Sequence, residues 1–139
     1  MKRFVVDCSV VMAWCFEDES DRYTDSVLNL LVDSEAIVPS IWLLEVANVL
    51  LVAERRKRLT EADSVQFVRL LNELPVTVDQ ETSERALSEI LFIGRRQGLS
   101  SYDAAYLELA MREGAALATR DNGLKKAATK CGVKLIKSG

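Results

Sequence analysis

The chain has 139 residues, 49% hydrophobic and 28% charged, with six glycines and two prolines. That length supports one domain with a real core, and the scarcity of Gly and Pro excludes a disordered or linker-rich chain. The net charge of −3 is too small to name a partner, and the absence of histidine excludes Ser-His-Asp or Cys-His catalysis, imidazole-bound zinc and 2-His-carboxylate iron.

Arg3 to Asp7 is a short apolar run ending in an acid and reads as a buried strand. Ser9 is placed to cap the next segment, Val10 to Phe16. Glu17 to Asp21 is a polar loop, and Tyr23, Val27, Leu30 and Leu31 follow at helical spacing. Ala36 to Pro39 is a second strand. Ser40 precedes a long apolar helix that ends near the basic run Arg55 to Arg58. Thr60 and Asp63 have capping-box spacing, with Asp replacing the usual Glu or Gln, and Phe67, Leu70, Leu71 and Leu74 form that helix's buried stripe. Pro75 stops it.

Val76 to Asp79 is the third strand. Ser83 to Gln97 is helical, with Gly98 as its C-terminal cap. Ser100 or Ser101 caps a helix running to Arg112. Ala115 to Thr119 is the fourth strand, Asn122 to Cys131 a helix ended by Gly132, and Val133 to Ile136 the fifth strand. Short apolar strands alternating with helices predict an α/β fold: a central parallel five-stranded sheet with helices on both faces, one domain over residues 1–139. Met1, Lys2 and Arg3 are followed by only three apolar residues before Asp7, so no secretory leader is expected. Glu45 and Asn48 interrupt the best membrane-span candidate. Cys8, Cys15 and Cys131 form no Cys-x-x-Cys pair and read as reduced thiols of a cytoplasmic protein.

Four acids stand in surroundings that disfavour charge. Asp7 follows Phe4, Val5 and Val6; Glu45 is the only charge between Ser40 and Glu54; Asp103 precedes an apolar run; Asp121 follows one. An acid in a core costs several kcal/mol unless it is paired or binds a cation. With no imidazole available, four such acids point to an all-oxygen site suited to Mg²⁺ or Mn²⁺. In parallel α/β sheets ligands bind at the carboxyl ends of the strands, where topology allows all four to converge. Taken alone, Asp103 reads first as an acid in a first helical turn favoured by the dipole, and Asp121 first as a turn or cap residue; their shared place with Asp7 and Glu45 is what shifts both toward a site. Asp79 also ends a strand and competes for the same role. Arg55 to Arg58, Arg95, Arg96, Lys125 and Lys126 are ordinary helix-end cations or, alternatively, phosphate contacts.

The motifs Asp7-x-Ser9, Leu44 to Asn48 around Glu45, Ser101 to Ala105 around Asp103, and Thr119-Arg120-Asp121 together resemble a PIN domain, and the length and element order resemble its VapC branch of ribonuclease toxins. The resemblance implies a three-layer fold in which Asp7, Glu45, Asp103 and Asp121 hold Mg²⁺ or Mn²⁺ and hydrolyse RNA, with Ser9 and Thr119 as auxiliary hydroxyls. Asn122 falls near a position where some members carry a further acid. It also implies a homodimer and a small antitoxin partner. Two other readings stay open: a receiver-like Mg²⁺-binding phosphoacceptor, and a non-catalytic PIN-like interaction module. Asp7 is followed by Cys8 rather than a second acid, against the first. Retention of all four acids stands against the second.

Overall fold

Phe4, Val5 and Val6 are the buried inner half of strand β1 (Lys2–Val6), and everything else is laid against them. The computed structural model describes residues 2–137. Along the chain follow α1 (Cys8–Ala13), a 3₁₀ turn (Glu17–Glu19), α2 (Arg22–Leu30), β2 (Ser34–Val38), α3 (Ile41–Arg55), α4 (Glu61–Glu73) and β3 (Val76–Val78). Then come α5 (Thr82–Arg85), a π-helical turn (Ala86–Ile90), α6 (Leu91–Gln97), α7 (Ser101–Glu113), β4 (Ala116–Ala118) and α8 (Asn122–Lys130). The strands form one parallel sheet in the order β3-β2-β1-β4, with helices on both sides. Right-handed crossovers assign α1–α4 to one face and α5–α8 to the other. In agreement, α1 packs on α2 and α3, while α7 packs on β1, β4 and α8.

The order places a topological switch point between β1 and β4: the chain leaves β1 toward β2 and returns later on the opposite side. A ligand crevice in such sheets opens outside the carboxyl ends of those two strands. The ladder continues there by one rung, from the Asp7 N–H to the Ala118 carbonyl at 3.1 Å.

The sheet has four strands rather than five. Val133 to Ile136 contributes a single parallel bridge, Leu117 with Leu135, in which Leu117 N donates to the Lys134 carbonyl and Ile136 N to the Leu117 carbonyl, both at 2.9 Å. The cause is the shortness of β4. Backbone groups alternate sides along a strand, and in Ala116–Ala118 only Leu117 directs its N–H and C=O away from β1. One outward residue supports one bridge.

Two local expectations are also revised and a third is narrowed. Helix α1 begins at Cys8, and its N-cap is Asp7, whose side chain accepts from Val10 N; Ser9 lies inside the first turn. The helix expected over Ser83 to Gln97 is interrupted by the π-helical turn. Of the two candidate caps of α7, Ser100 is the one used. The Thr60–Asp63 capping box forms as expected, with both reciprocal bonds present, and Gly98 closes α6 at φ 66°, a conformation that costs glycine little.

Asp79 ends β3 but is fully engaged. Arg112 of α7 grips it with two bonds, Nη2 to Oδ2 at 2.8 Å and Nη1 to Oδ1 at 3.1 Å. Arg112 also holds the buried Glu108 through Nε at 2.9 Å, and Arg85 approaches Glu108 at 3.4 Å. The Arg112 hydrogen bonds hold the Asp79 carboxyl below its usual range. That contribution is complete above the ordinary carboxylate pKa and disappears as pH falls through the lowered value. Replacing Arg112 by Met leaves Asp79 and most of Glu108 buried without their cation, which costs about 3–5 kcal/mol. Urea unfolding at neutral pH is expected to show a midpoint shift of that size.

Candidate active site

The switch-point crevice is built around Asp7. It is buried, 6% exposed. Its Oδ1 accepts from Ser9 Oγ at 2.9 Å and from Val10 N at 3.0 Å. Its Oδ2 accepts a short bond from the Thr119 hydroxyl, at the end of β4. Thr119 Oγ1 in turn accepts from Asp121 N at 3.0 Å, and Asp121 Oδ1 caps α8 through Leu124 N at 2.9 Å. One hydroxyl therefore ties the ends of two strands and the start of a helix together. Ser9 reaches Asp7 because the first turn of α1 curls back over its own cap.

Glu45 arrives from the second turn of α3 and Asp103 from the first turn of α7. Glu45 is half-buried, and its Oε1 accepts from the hydroxyl of Tyr106 at 2.5 Å. Burial pushes the Glu45 carboxyl up; the Tyr106 bond opposes this, and the charges of Asp103 and Asp7 add to the rise. Asp103 is likewise raised by burial and then by the charges of Asp121 and Asp7. Those mutual effects bring the four acids into one electrostatic unit. Burial and the neighbouring Glu45 and Asp7 also push the Cys8 thiol up to about 12, so it stays protonated at neutral pH.

Among the described residues, none of the four acids is in an ion pair. Arg120, between Thr119 and Asp121, is turned away, to the Glu19 carbonyl at 3.0 Å and the Asp21 carboxylate at 3.1 Å. The donor set therefore has hard oxygens and unbalanced negative charge, which fits a divalent cation such as Mg²⁺ or Mn²⁺. Among the described residues no three acid or thiol side chains close around a single point.

Asp79 is excluded from this unit by its pairing with Arg112. Asn122 is exposed at the first position of α8 and brings no charge. Arg58 folds back onto Asp18 and Glu19 and over the Phe16 ring, so it is not a free cation, whereas Arg95 and Arg96 are exposed near the start of α7. Sequence reasoning missed Tyr106. Its signal was available: it lies three residues after Asp103 on the same helix face, and a buried tyrosine hydroxyl needs a partner.

A parallel sheet with acids at its switch point defines the class, an α/β domain with a carboxylate-lined crevice at the carboxyl ends of its strands. The PIN domain family model matches residues 4–130, and the chain belongs to that family. PIN domains are in general nucleases and typically use divalent metal ions. No curated protein sequence matches. Among solved structures, the fold is similar to PAE2754 from Pyrobaculum aerophilum (23% identity, TM-score 0.66, 91% of this chain and 79% of that one). It is also similar to VapBC2 from Rickettsia felis, bound to a DNA fragment from their promoter (13%, 0.68, 96% and 97%). A third is a toxin–antitoxin complex from Klebsiella pneumoniae (15%, 0.59, 85% and 86%).

The two kinds of acid should separate in metal-free stability. Asp7→Ala removes a helix cap and the acceptor of two hydroxyls, a loss of about 1–3 kcal/mol. Asp103→Asn removes repulsion and should leave the melting temperature in EDTA unchanged or higher at pH 7. A raised carboxyl favours the protonated fold, so its benefit is complete below the ordinary carboxylate range and is lost as pH rises through the raised value. The gap between Asp103→Asn and wild type should therefore shrink as pH falls through that window, as thermal melts in EDTA would show.

Proposed function

We propose that the chain is a metal-dependent endoribonuclease, the toxin of a toxin–antitoxin pair. The observation that carries this reading is the unit of four carboxylates at the β1–β4 switch point, unpaired with any cation among the described residues, in a chain of the PIN family. Asp7, Asp103, Asp121 and Glu45 are the residues that would hold Mg²⁺ or Mn²⁺. A bound divalent ion supplies a lowered pKa for water and charge neutralisation at a phosphodiester.

The chain's own groups divide the remaining work. Asp7 is immobilised by Ser9, Val10 and Thr119, so it is a fixed anchor whose position is set by the sheet. Asp121 is fixed through the same Thr119 hydroxyl. Glu45 has a raised affinity for protons and one oxygen held by Tyr106, which suits it to orient the attacking water and accept its proton. Arg95, Arg96, Lys125 and Lys126 supply backbone phosphate contacts, which offset the repulsion between an acidic site and a polyanion. Because water attacks rather than the ribose 2′-hydroxyl, the product carries a 5′-phosphate.

A toxin–antitoxin complex among the similarly folded structures supports an antitoxin partner for this chain. We extend the reading to a homodimer in the cytoplasm. Among the described residues no helix is long and apolar enough to cross a membrane.

The test is cleavage of a mixed RNA pool with Mg²⁺ or Mn²⁺. Transition-state charge neutralisation by a metal is worth several kcal/mol, so Asp7→Asn and Asp103→Asn should each lose roughly a hundredfold or more. EDTA should abolish cleavage. Equal activity in both variants, or recovery of 2′,3′-cyclic phosphate ends, would overturn the proposal.

A further inference from the structure

Glu45 is in an unfavourable position by its own electrostatics. The charges of Asp7 and Asp103 face it, while its helix neighbours Leu44, Ala47 and Asn48 are exposed. Left to itself, a flexible glutamate in that position would turn toward solvent, where its charge is hydrated and the repulsion weaker. Among the described residues, it is held inward by the bond from the Tyr106 hydroxyl to Oε1 at 2.5 Å. Tyr106 cannot follow Glu45 outward, because its ring is 1% exposed in the packed core of α7. The same helix face carries Asp103 one turn earlier, so α7 delivers both a repelling carboxylate and the hydroxyl that resists it.

We propose that Tyr106 is a positioning residue that pins Glu45 into the acid unit by holding Oε1, so that the second carboxylate oxygen stays free for the work of the site. The inference rests on the metal-site reading above and concerns how that site is assembled. Without the hydroxyl, the four acids do not act as one donor set, and the affinity for a divalent ion falls before any substrate is present.

The experiment is titration of the full chain with Mn²⁺ alone, without RNA, following free Mn²⁺ by electron paramagnetic resonance. Wild type is compared with Tyr106→Phe, Glu45→Gln, their double variant, and Asp103→Asn. A hydrogen bond to a charged group is worth enough that Tyr106→Phe should weaken Mn²⁺ binding by roughly tenfold or more. The double variant should bind no more weakly than Glu45→Gln alone, because both changes remove the same contribution. Wild-type affinity in Tyr106→Phe, or losses that multiply in the double variant, would overturn the inference. Glu45→Asp keeps the tyrosine but draws the carboxylate out of its reach, and is the second variant should Tyr106→Phe fold poorly; it should show a similar loss, and wild-type affinity there also overturns the inference. If Asp103→Asn binds Mn²⁺ as well as wild type, the metal-site reading fails and the inference fails with it. Weakened binding in Asp103→Asn beside wild-type binding in Tyr106→Phe removes the inference alone.

Discussion

A buried carboxylate at a strand end needs donors, and Asp7 obtains them from three places that would otherwise be separate. Val10 supplies a backbone N–H from the first turn of α1, Ser9 a hydroxyl from the same turn, and Thr119 a hydroxyl from beyond β4. Charge-assisted bonds of this kind are stronger than neutral ones. They fix where α1 starts, how β4 ends beside β1, and, through the Thr119 oxygen, where α8 begins. The crevice is thus not an opening left over by packing. It is a junction organised around one negative charge, and the same charge raises the carboxyls of Glu45 and Asp103.

The protein treats its buried acids in two opposite ways. At the β3 edge, Asp79 and Glu108 are matched by Arg112 and Arg85, with near-ideal bidentate geometry at Asp79. A buried pair of this kind holds structure together and stores no unbalanced charge. At the β1–β4 junction four acids are gathered without a cation partner among the described residues, and the arginine within the motif, Arg120, is drawn off by Glu19 and Asp21. An arrangement that concentrates repulsion is maintained at a cost to stability, and such costs gather at functional sites. The contrast between the two clusters argues for function more strongly than burial does.

Much of this was legible in the residues. The apolar runs fixed the order of strands and helices, and Thr60 with Asp63, and Gly98, behaved as local chemistry dictates, because capping depends on neighbours three or four residues away. The four acids were visible because Glu45 is the only charge between Ser40 and Glu54 and because no histidine offered another chemistry. The failures share a cause. Whether Val133 to Ile136 forms a strand depends on how many outward-facing groups β4 offers, which is a property of the partner strand. Whether Asp79 joins the site depends on Arg112, distant in sequence. Tyr106 looked like one more core aromatic until Glu45 was placed against its hydroxyl.

By itself the sequence determined the alternating α/β plan and singled out four acids as candidates for a hard-oxygen site, since these follow from residue type, element order and the absence of histidine. The tertiary structure decided the strand order, and hence the switch point that brings Asp7 and Asp121 together. It also decided which acids are neutralised and which are left charged, and which hydroxyl holds Glu45 inward. Those outcomes are set by pairings between residues far apart along the chain, where local propensity carries no information.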